Sequence, residues 1–484
     1  MQSAMRGILA CLHDLAATDP GMPMLGGGGR WGDVRTVLAI TEHVGSRLRR
    51  MGLPAGAYVA FHPKRSMASA LMLLGLRGAG LVAVLAEPKQ SMEEILQSTD
   101  ADLSFSAYLE QTGRTQFDII RTDGDRRRET IDMYSLTPAD GIHVPVSPDD
   151  PAFIIFTSGS TGKSKAVVLS EANLISNLLD SEPLGDYHIG DRALGCLPLH
   201  HVFGLVLLAG TAVLRYGVYF PDATEIPSLL SAIEQQKLTR MNGVPSLYLA
   251  LADQCGGYDL SSMRAGFIGG GPVTAEQFAW IEETLGMTLI SVYGMSECIG
   301  ISCTSWQDTR KTRASGVGKF YPMNTGKILR ADGSEAGVSE EGEICVTGPM
   351  RMLGYLGQPM PPEELLHTGD LGYLDAEGAL HLTGRIKDII IRNGNNISAR
   401  RVEQALQRIP GVKDAAVVAL PDERQGEVPA AMIAADPIPE EFSPDLPKNC
   451  LPVLYHFEDQ LPLTASGKPD KQKIREVLAQ CRIG

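Results

Sequence analysis

Between Thr36 and Leu85 the chain alternates helix-spaced apolar residues with short apolar runs. Thr36 to Arg50 has helical spacing and stops before Gly52, and Ala57 to Phe61 reads as a strand. Ser66 to Arg77 reads as a helix and Gly80 to Leu85 as a second strand. Strands that are apolar throughout, separated by helices, must be covered on both faces, which is the rhythm of a parallel sheet. It returns from Ala193 to Leu197, Phe203 to Leu214 and Ser228 to Lys237, and again from Ala265 to Ile268, Ala275 to Leu285 and Leu289 to Val292.

After about residue 300 the pattern shortens. Lys327 to Thr347 and Gly372 to Thr383 read as hairpins, with turns expected at Asp332-Gly333, Glu341-Gly342 and Glu377-Gly378. Arg385 to Asn396 reads as a connector into a final unit with a helix over Ala399 to Arg408, strands over Val412 to Leu420 and Ala430 to Ala434, and a last helix over Asp470 to Leu478. The proline-rich run Pro437 to Pro452 reads as a loop. At 484 residues the chain is too long for one core. The expected class is α/β: a large N-terminal α/β body with a β-rich subdomain, and a small C-terminal α+β domain.

With 43 Lys and Arg against 57 Asp and Glu, the net charge is −14. A net-acidic chain lacks the electrostatic footprint of a nucleic-acid binder and is repelled by an anionic membrane surface. The most apolar stretch, Met67 to Leu85, is interrupted by Arg77, so no membrane span is expected. The eight cysteines are scattered without a C-x-x-C pair, which disfavours a zinc ribbon or a disulfide scaffold and suits a cytoplasmic protein.

The segment Thr157-Ser158-Gly159-Ser160-Thr161-Gly162-Lys163-Ser164-Lys165 directly follows an apolar strand. Small residues let backbone N–H groups approach phosphate oxygens, hydroxyls add donors, and lysine neutralises charge. A Walker A loop would need glycine at position 157, where the chain has threonine.

Taken in order, several segments resemble the superfamily of adenylate-forming enzymes that includes acyl- and aryl-CoA synthetases, adenylation domains and luciferases. Thr157 to Lys165 resembles its triphosphate loop, and Pro198-Leu199-His200-His201-Val202-Phe203-Gly204 its acyl-pocket motif. Gly269-Gly270-Gly271-Pro272 and Tyr293-Gly294-Met295-Ser296-Glu297 resemble its adenine and magnesium segments. Thr368-Gly369-Asp370 resembles the ribose motif, Gly384-Arg385-Ile386-Lys387-Asp388 the hinge, and Leu461 to Lys468 the C-terminal lysine motif. Ser160, Ser164 and Ala166 stand where the family usually has threonine, proline and glycine. Ser296 replaces a threonine and Ala399 a proline, and none of these changes removes a charged group.

The resemblance implies an N-terminal domain over 1–384, a hinge at 385–388 and a mobile C-terminal domain over 389–484. It implies ATP-dependent activation of a carboxylic acid to an acyl-adenylate, then transfer to the thiol of coenzyme A. Lys468 would bridge the acid and the α-phosphate, with Glu297, Ser296 and His201 completing the catalytic set and Glu297 holding Mg²⁺. ATP and the thiol cofactor would meet Thr157, Ser158, Gly159, Ser160, Thr161, Lys165, Gly270, Gly271, Tyr293, Gly294, Asp370, Arg385, Lys387, Asn393 and Gly394. Without the motif, Glu297 reads equally as a surface glutamate at a helix start, and Asn393-Gly394 as a plain turn.

The acid would be lined by His201, Val202, Phe203, Gly204, Phe267, Ile268, Met295 and Ile299. This wall has no carboxylate to pair with an α-amine, which disfavours amino acids and suits a fatty or aryl acid. Two adjacent histidines without a third nearby ligand make a weak metal motif. A carrier protein's phosphopantetheine is the alternative acceptor, and a catalytically silent nucleotide-binding homologue the third reading. A monomer or homodimer is expected.

Overall fold

The structure, a computed structural model, describes residues 6–50, 52–87, 90, 103–111, 114–121, 126–132, 147–157, 165–435, 437–439, 442–463 and 469–483. Within them, two nine-stranded sheets form the body. One has the order Lys319–Phe320, Cys298–Cys303, Thr288–Met295, Ala265–Gly269, Arg240–Met241, Arg192–Leu194, Gly217–Phe220, Pro23–Gly27, Arg30–Asp33. The other runs Gln358–Pro359, Gly354–Tyr355, Lys165–Ser170, Pro151–Thr157, Val82–Leu85, Tyr58–Phe61, Leu103–Gln111, Arg114–Arg121, Arg126–Asp132.

The apolar runs of the sequence are the central parallel strands, and both of their faces are buried. Ala83, Leu85, Phe153 and Ile155 enter a core shared with Leu25, Val218 and Phe220 of the first sheet. Val82, Val84, Ile154 and Phe156 enter a separate core on the opposite face. Because the shared core also takes Leu12, Val37, Leu71, Leu174 and Leu205, helices fill the layer between the two sheets.

Helix starts follow from local chemistry. The Asp33 carboxylate accepts from Thr36 N at 2.8 Å and opens the helix Val34–Arg49. Ser66 caps Met67–Gly78, and Thr274 with Gln277 forms a capping box before Ala275–Leu285.

A four-stranded antiparallel sheet follows, in the order Thr325–Leu329, Gly342–Thr347, Leu366–Leu374, Leu380–Arg385. Two expected turns hold, with Gly333 and Gly378 at φ 82° and 77°. Glu341-Gly342 is not a turn: Gly342 already pairs with Gly372, and the chain reverses at Gly337 to Glu340, with Ser339 at φ 61°.

The C-terminal unit is a five-stranded sheet with one helix on each face. Ala399–Gln407 packs Val402 and Leu406 against Val417 and Ile433. Lys471–Ile483 packs Ile474 and Leu478 against Val418 and Met432. The expected connector contains two strands, Ile389–Arg392 and Asn395–Ser398, joined by a two-residue turn. A further strand, Leu454–Glu458, pairs parallel to Gly426–Ala435. Among the described residues, no helix is long and apolar enough to cross a membrane.

Two side-chain contacts frame the join between body and small unit. The Ser398 hydroxyl donates to the Thr383 carbonyl at 2.8 Å. Lys471 Nζ lies 3.0 Å from both Asp388 and Glu403, and although burial acts against its charge, the two carboxylates raise its pKa overall.

Candidate active site

Asp370 lies within the strand Leu366–Leu374 and is 5% exposed. Tyr293, from the first large sheet, donates its hydroxyl to Asp370 Oδ2 at 2.7 Å, while Arg385 Nε stands 2.6 Å from Oδ1. Burial and the Asp370 carboxylate push the Tyr293 hydroxyl far above its ordinary pKa, so it remains a donor. The turn before Asp370 is fixed as well. Thr368 donates to the Ile344 carbonyl at 2.7 Å and accepts from Asp370 N at 3.0 Å, and Gly369, at φ 71°, donates its N–H to Glu343 Oε1 at 3.0 Å. Each Asp370 oxygen retains a further lone pair for a diol.

Glu297 is not at a helix start. It sits with Ser296 in the two-residue turn that joins Thr288–Met295 to Cys298–Cys303, where Met295 pairs with Cys298. Gly294 is required there, because a Cβ would stand 2.2 Å from the Ile299 carbonyl oxygen. The buried Glu297 accepts from the Tyr355 hydroxyl through Oε1 at 3.0 Å, and Lys165 Nζ lies 4.7 Å from the centre of the Tyr355 ring. Burial and the neighbouring Glu297 raise the Tyr355 pKa, keeping that proton on the hydroxyl. Oε2 has no hydrogen-bond partner among the described residues, which leaves a hard anionic oxygen fit for a magnesium ion.

Thr157 and Lys165 are register partners on neighbouring strands; Ser158, Gly159, Ser160 and Thr161 lie outside the described residues, as does Lys468. Gly270, at φ 80°, and Gly271 follow the strand Ala265–Gly269, beside Val244 and Pro245. Lys387 is exposed in the short 3₁₀ turn Ile386–Asp388. Asn393 and Gly394, at φ 50° and 75°, form the left-handed turn between the two strands of the expected connector, and Asn393 N bonds Gln425 O within the small unit.

Among the residues expected to line the acid, His201 occupies the N-cap position of the helix Val202–Val213 without a side-chain capping bond, and its ring lies 4.5 Å from that of His200. His200 is buried with Nδ1 unpartnered, and its pKa falls to about 3, chiefly through burial and then through neighbouring His201, Arg65 and His62. Gly204 lets the helix start touch Pro198, whose carbonyl oxygen a Cβ would meet at 2.1 Å. Val202, Phe203, Met295 and Ile299 join the shared core with Phe267. Ile268 does not: it follows Phe267 on the same strand and points into the other core with Met241 and Tyr248. Phe203 packs against both cores.

Two groups were missed in the sequence. Tyr355 stands 58 residues from Glu297, with no local signal linking them. Arg400, which reads as an ordinary first-turn helix residue, comes within electrostatic reach of Asp370, Arg385 and Tyr293. Its buried Nε has no hydrogen-bond partner, and burial lowers the guanidinium pKa.

The AMP-binding enzyme profile matches residues 12–356, and the AMP-binding enzyme C-terminal domain profile matches 401–468. Feruloyl-CoA synthase from Amycolatopsis sp is 33% identical over 355 residues, covering 69% of this chain and 71% of that protein. A 2-succinylbenzoate–CoA ligase from Bacillus cereus is 30% identical over 466 residues, 92% of each chain. The structure of o-succinylbenzoate CoA synthetase from Bacillus subtilis, in complex with its acyl-adenylate intermediate, superposes with a TM-score of 0.81 at 25% identity, covering 97% of this chain and 98% of that one. With more than half its length matched, the chain belongs to the AMP-binding enzyme family.

Proposed function

We propose that the protein is an AMP-forming acid–thiol ligase that activates an aryl or comparably apolar carboxylic acid with ATP and passes the acyl group to coenzyme A. The observation that carries this reading is the Tyr293–Asp370–Arg385 network, which holds a buried carboxylate with open lone pairs where two sheets meet. A carboxylate so held accepts two vicinal hydroxyls, as a ribose presents. The CoA-ligase activities in the names of the relatives support the reaction class, and the aromatic groups in those names support an aryl acid.

In the first step a carboxylate oxygen attacks the α-phosphorus, the bond to the bridging oxygen breaks, and pyrophosphate leaves. Two anions must be brought together, so positioning and positive charge dominate catalysis. Asp370 would fix the ribose, Gly270 and Gly271 would let the adenine approach backbone, and Lys165 would face the phosphates with the loop it borders. Glu297 Oε2 would hold Mg²⁺, which supplies charge neutralisation on the phosphates, and Tyr355 would keep Glu297 oriented. Lys468 would bridge the reacting oxygens.

In the second step the thiol sulfur attacks the acyl carbon, and AMP leaves carrying the bonding pair. The small domain would turn about residues 385–388 between steps, exchanging Lys468 for the Asn393-Gly394 turn beside the pantetheine. The apolar wall around Val202 and Phe203 would select against an α-ammonium group.

Mass spectrometry of reactions containing ATP, Mg²⁺ and a panel of aryl and fatty acids, with and without coenzyme A, tests the reading. An acyl-CoA together with AMP is the expected result. Adenylate that builds up without reaching coenzyme A would transfer the proposal to a carrier protein, and no AMP with any acid would defeat it.

A further inference from the structure

On one face of the four-stranded sheet three chemically different ligand groups converge, with Cys345 buried, Glu343 partly so and His367 exposed. Cys345 and His367 are direct cross-strand partners, and Glu343 lies two residues before Cys345 on the same face of the same strand. Ile344 and Val346, which alternate with them, point into the core instead. His367 Nδ1 stands 3.4 Å from Cys345 Sγ and 2.8 Å from Glu343 Oε2, and the three ligand atoms lie within 4.8 Å of one another. Both neighbours address the same ring nitrogen, which carries at most one proton, so a hydrogen bond cannot serve both well.

We propose that Glu343, Cys345 and His367 form a binding site for a divalent transition metal of the zinc class. A thiolate, an imidazole and a carboxylate are the borderline-soft donor set that zinc takes, with a fourth position left for water. In a tetrahedral site with bonds of about 2.3 Å to sulfur and about 2.0 Å to nitrogen, the two ligand atoms would lie about 3.5 Å apart. The observed 3.4 Å matches this, and only the carboxylate must draw back from the ring. Glu343 is already braced, because its other oxygen receives the Gly369 N–H. Binding would release the Cys345 thiol proton to solvent. Lys327, which pairs in register with Cys345 from the other flank, directs its Nζ to Glu335 at 3.3 Å.

A second triad of the same residue types shows what such a site requires. Around His456, Glu458 meets Nε2 at 2.9 Å while Cys481 meets Nδ1 at 3.7 Å, on opposite sides of the ring, so those groups cannot share an ion.

The site does not depend on the ligase reading. The test is titration of chelator-treated, desalted full-length protein with Co²⁺, followed by absorption. One equivalent is expected to produce a thiolate-to-cobalt charge-transfer band with tetrahedral d–d bands. Cys345→Ser should abolish the charge-transfer band, and His367→Gln, at an exposed residue whose loss leaves the core intact, should weaken Co²⁺ binding at least tenfold. Near-ultraviolet circular dichroism checks that both variants are folded. Absence of a thiolate band in the unmodified protein, or a band unchanged in His367→Gln, would overturn the proposal.

Discussion

Asp370 and Glu297 are both buried acids, yet the chain holds them in opposite ways. Asp370 has a donor on each oxygen, Tyr293 on one and Arg385 on the other, and its strand is locked by Thr368 and Gly369. Glu297 sits in a two-residue turn with one oxygen held by Tyr355 and the other open. A carboxylate neutralised by arginine can accept hydroxyls without attracting a cation, whereas one held only by a neutral phenol keeps its full charge for a metal. Held alike, the two residues would compete for the same ligand.

Exchanging charge for amide at each acid is the sharpest way to break this contrast. Glu297→Gln is expected to lower the adenylation rate by about 10²–10³-fold, the cost of losing one electrostatic anchor of the transition state, with a raised Mg²⁺ requirement. Asp370→Asn should act mainly on ATP, raising its KM and lowering kcat/KM by about 10–100-fold, as fits a charged hydrogen bond of about 1.5–3 kcal/mol. Pyrophosphate-release kinetics at varied ATP and Mg²⁺ separate them, and equal Mg²⁺ dependence in both variants would erase the distinction.

His200 offers a third environment, a buried imidazole whose Nδ1 has no hydrogen-bond partner. His200 has a folded pKa near 3, below the value of about 6.5 in an unfolded chain. The unfolded state therefore binds the extra proton as pH falls, so His200 contributes stability that is intact above about pH 6.5 and lost progressively towards pH 3. At pH 5 the loss should be about 2 kcal/mol relative to pH 7, read from denaturant melts, and His200→Gln should flatten that portion of the profile. The smallest effect is expected from Tyr355→Phe, which leaves Glu297 in place but unbraced. Its Mg²⁺ affinity should fall about fivefold, in line with one neutral hydrogen bond of about 1 kcal/mol.

What was legible in the sequence tracks how local the cause is. The helix Ala275–Leu285 and the strand Ala265–Gly269 emerge almost to the residue, because period, cap and glycine all lie within the segment. The strands Ile389–Arg392 and Asn395–Ser398 read as connector because each is only four residues long, and pairing with the small sheet makes them strands. Leu454–Glu458 was hidden for the same reason, next to a proline-rich loop. At the site, Tyr293, Asp370 and Arg385 could be named from motifs, and the structure brings them within hydrogen-bond distance. Tyr355 and Arg400 could not, since their partners lie on other sheets. Phe267 and Ile268, expected in one pocket wall, sit next to each other on a strand and enter different cores, an alternation that the motif reading did not include.

Lys471 clamps Asp388 to Glu403, so the last residue of the 385–388 segment is riveted to the small unit rather than shared with the body. A swing of that unit would carry Asp388 as cargo and leave Arg385, Ile386 and Lys387 as the whole fulcrum. If the small unit turns there as proposed, a pivot so short would behave as a latch with few detents, not as a tether, and the traffic between its poses would be timed by single-residue dihedral flips.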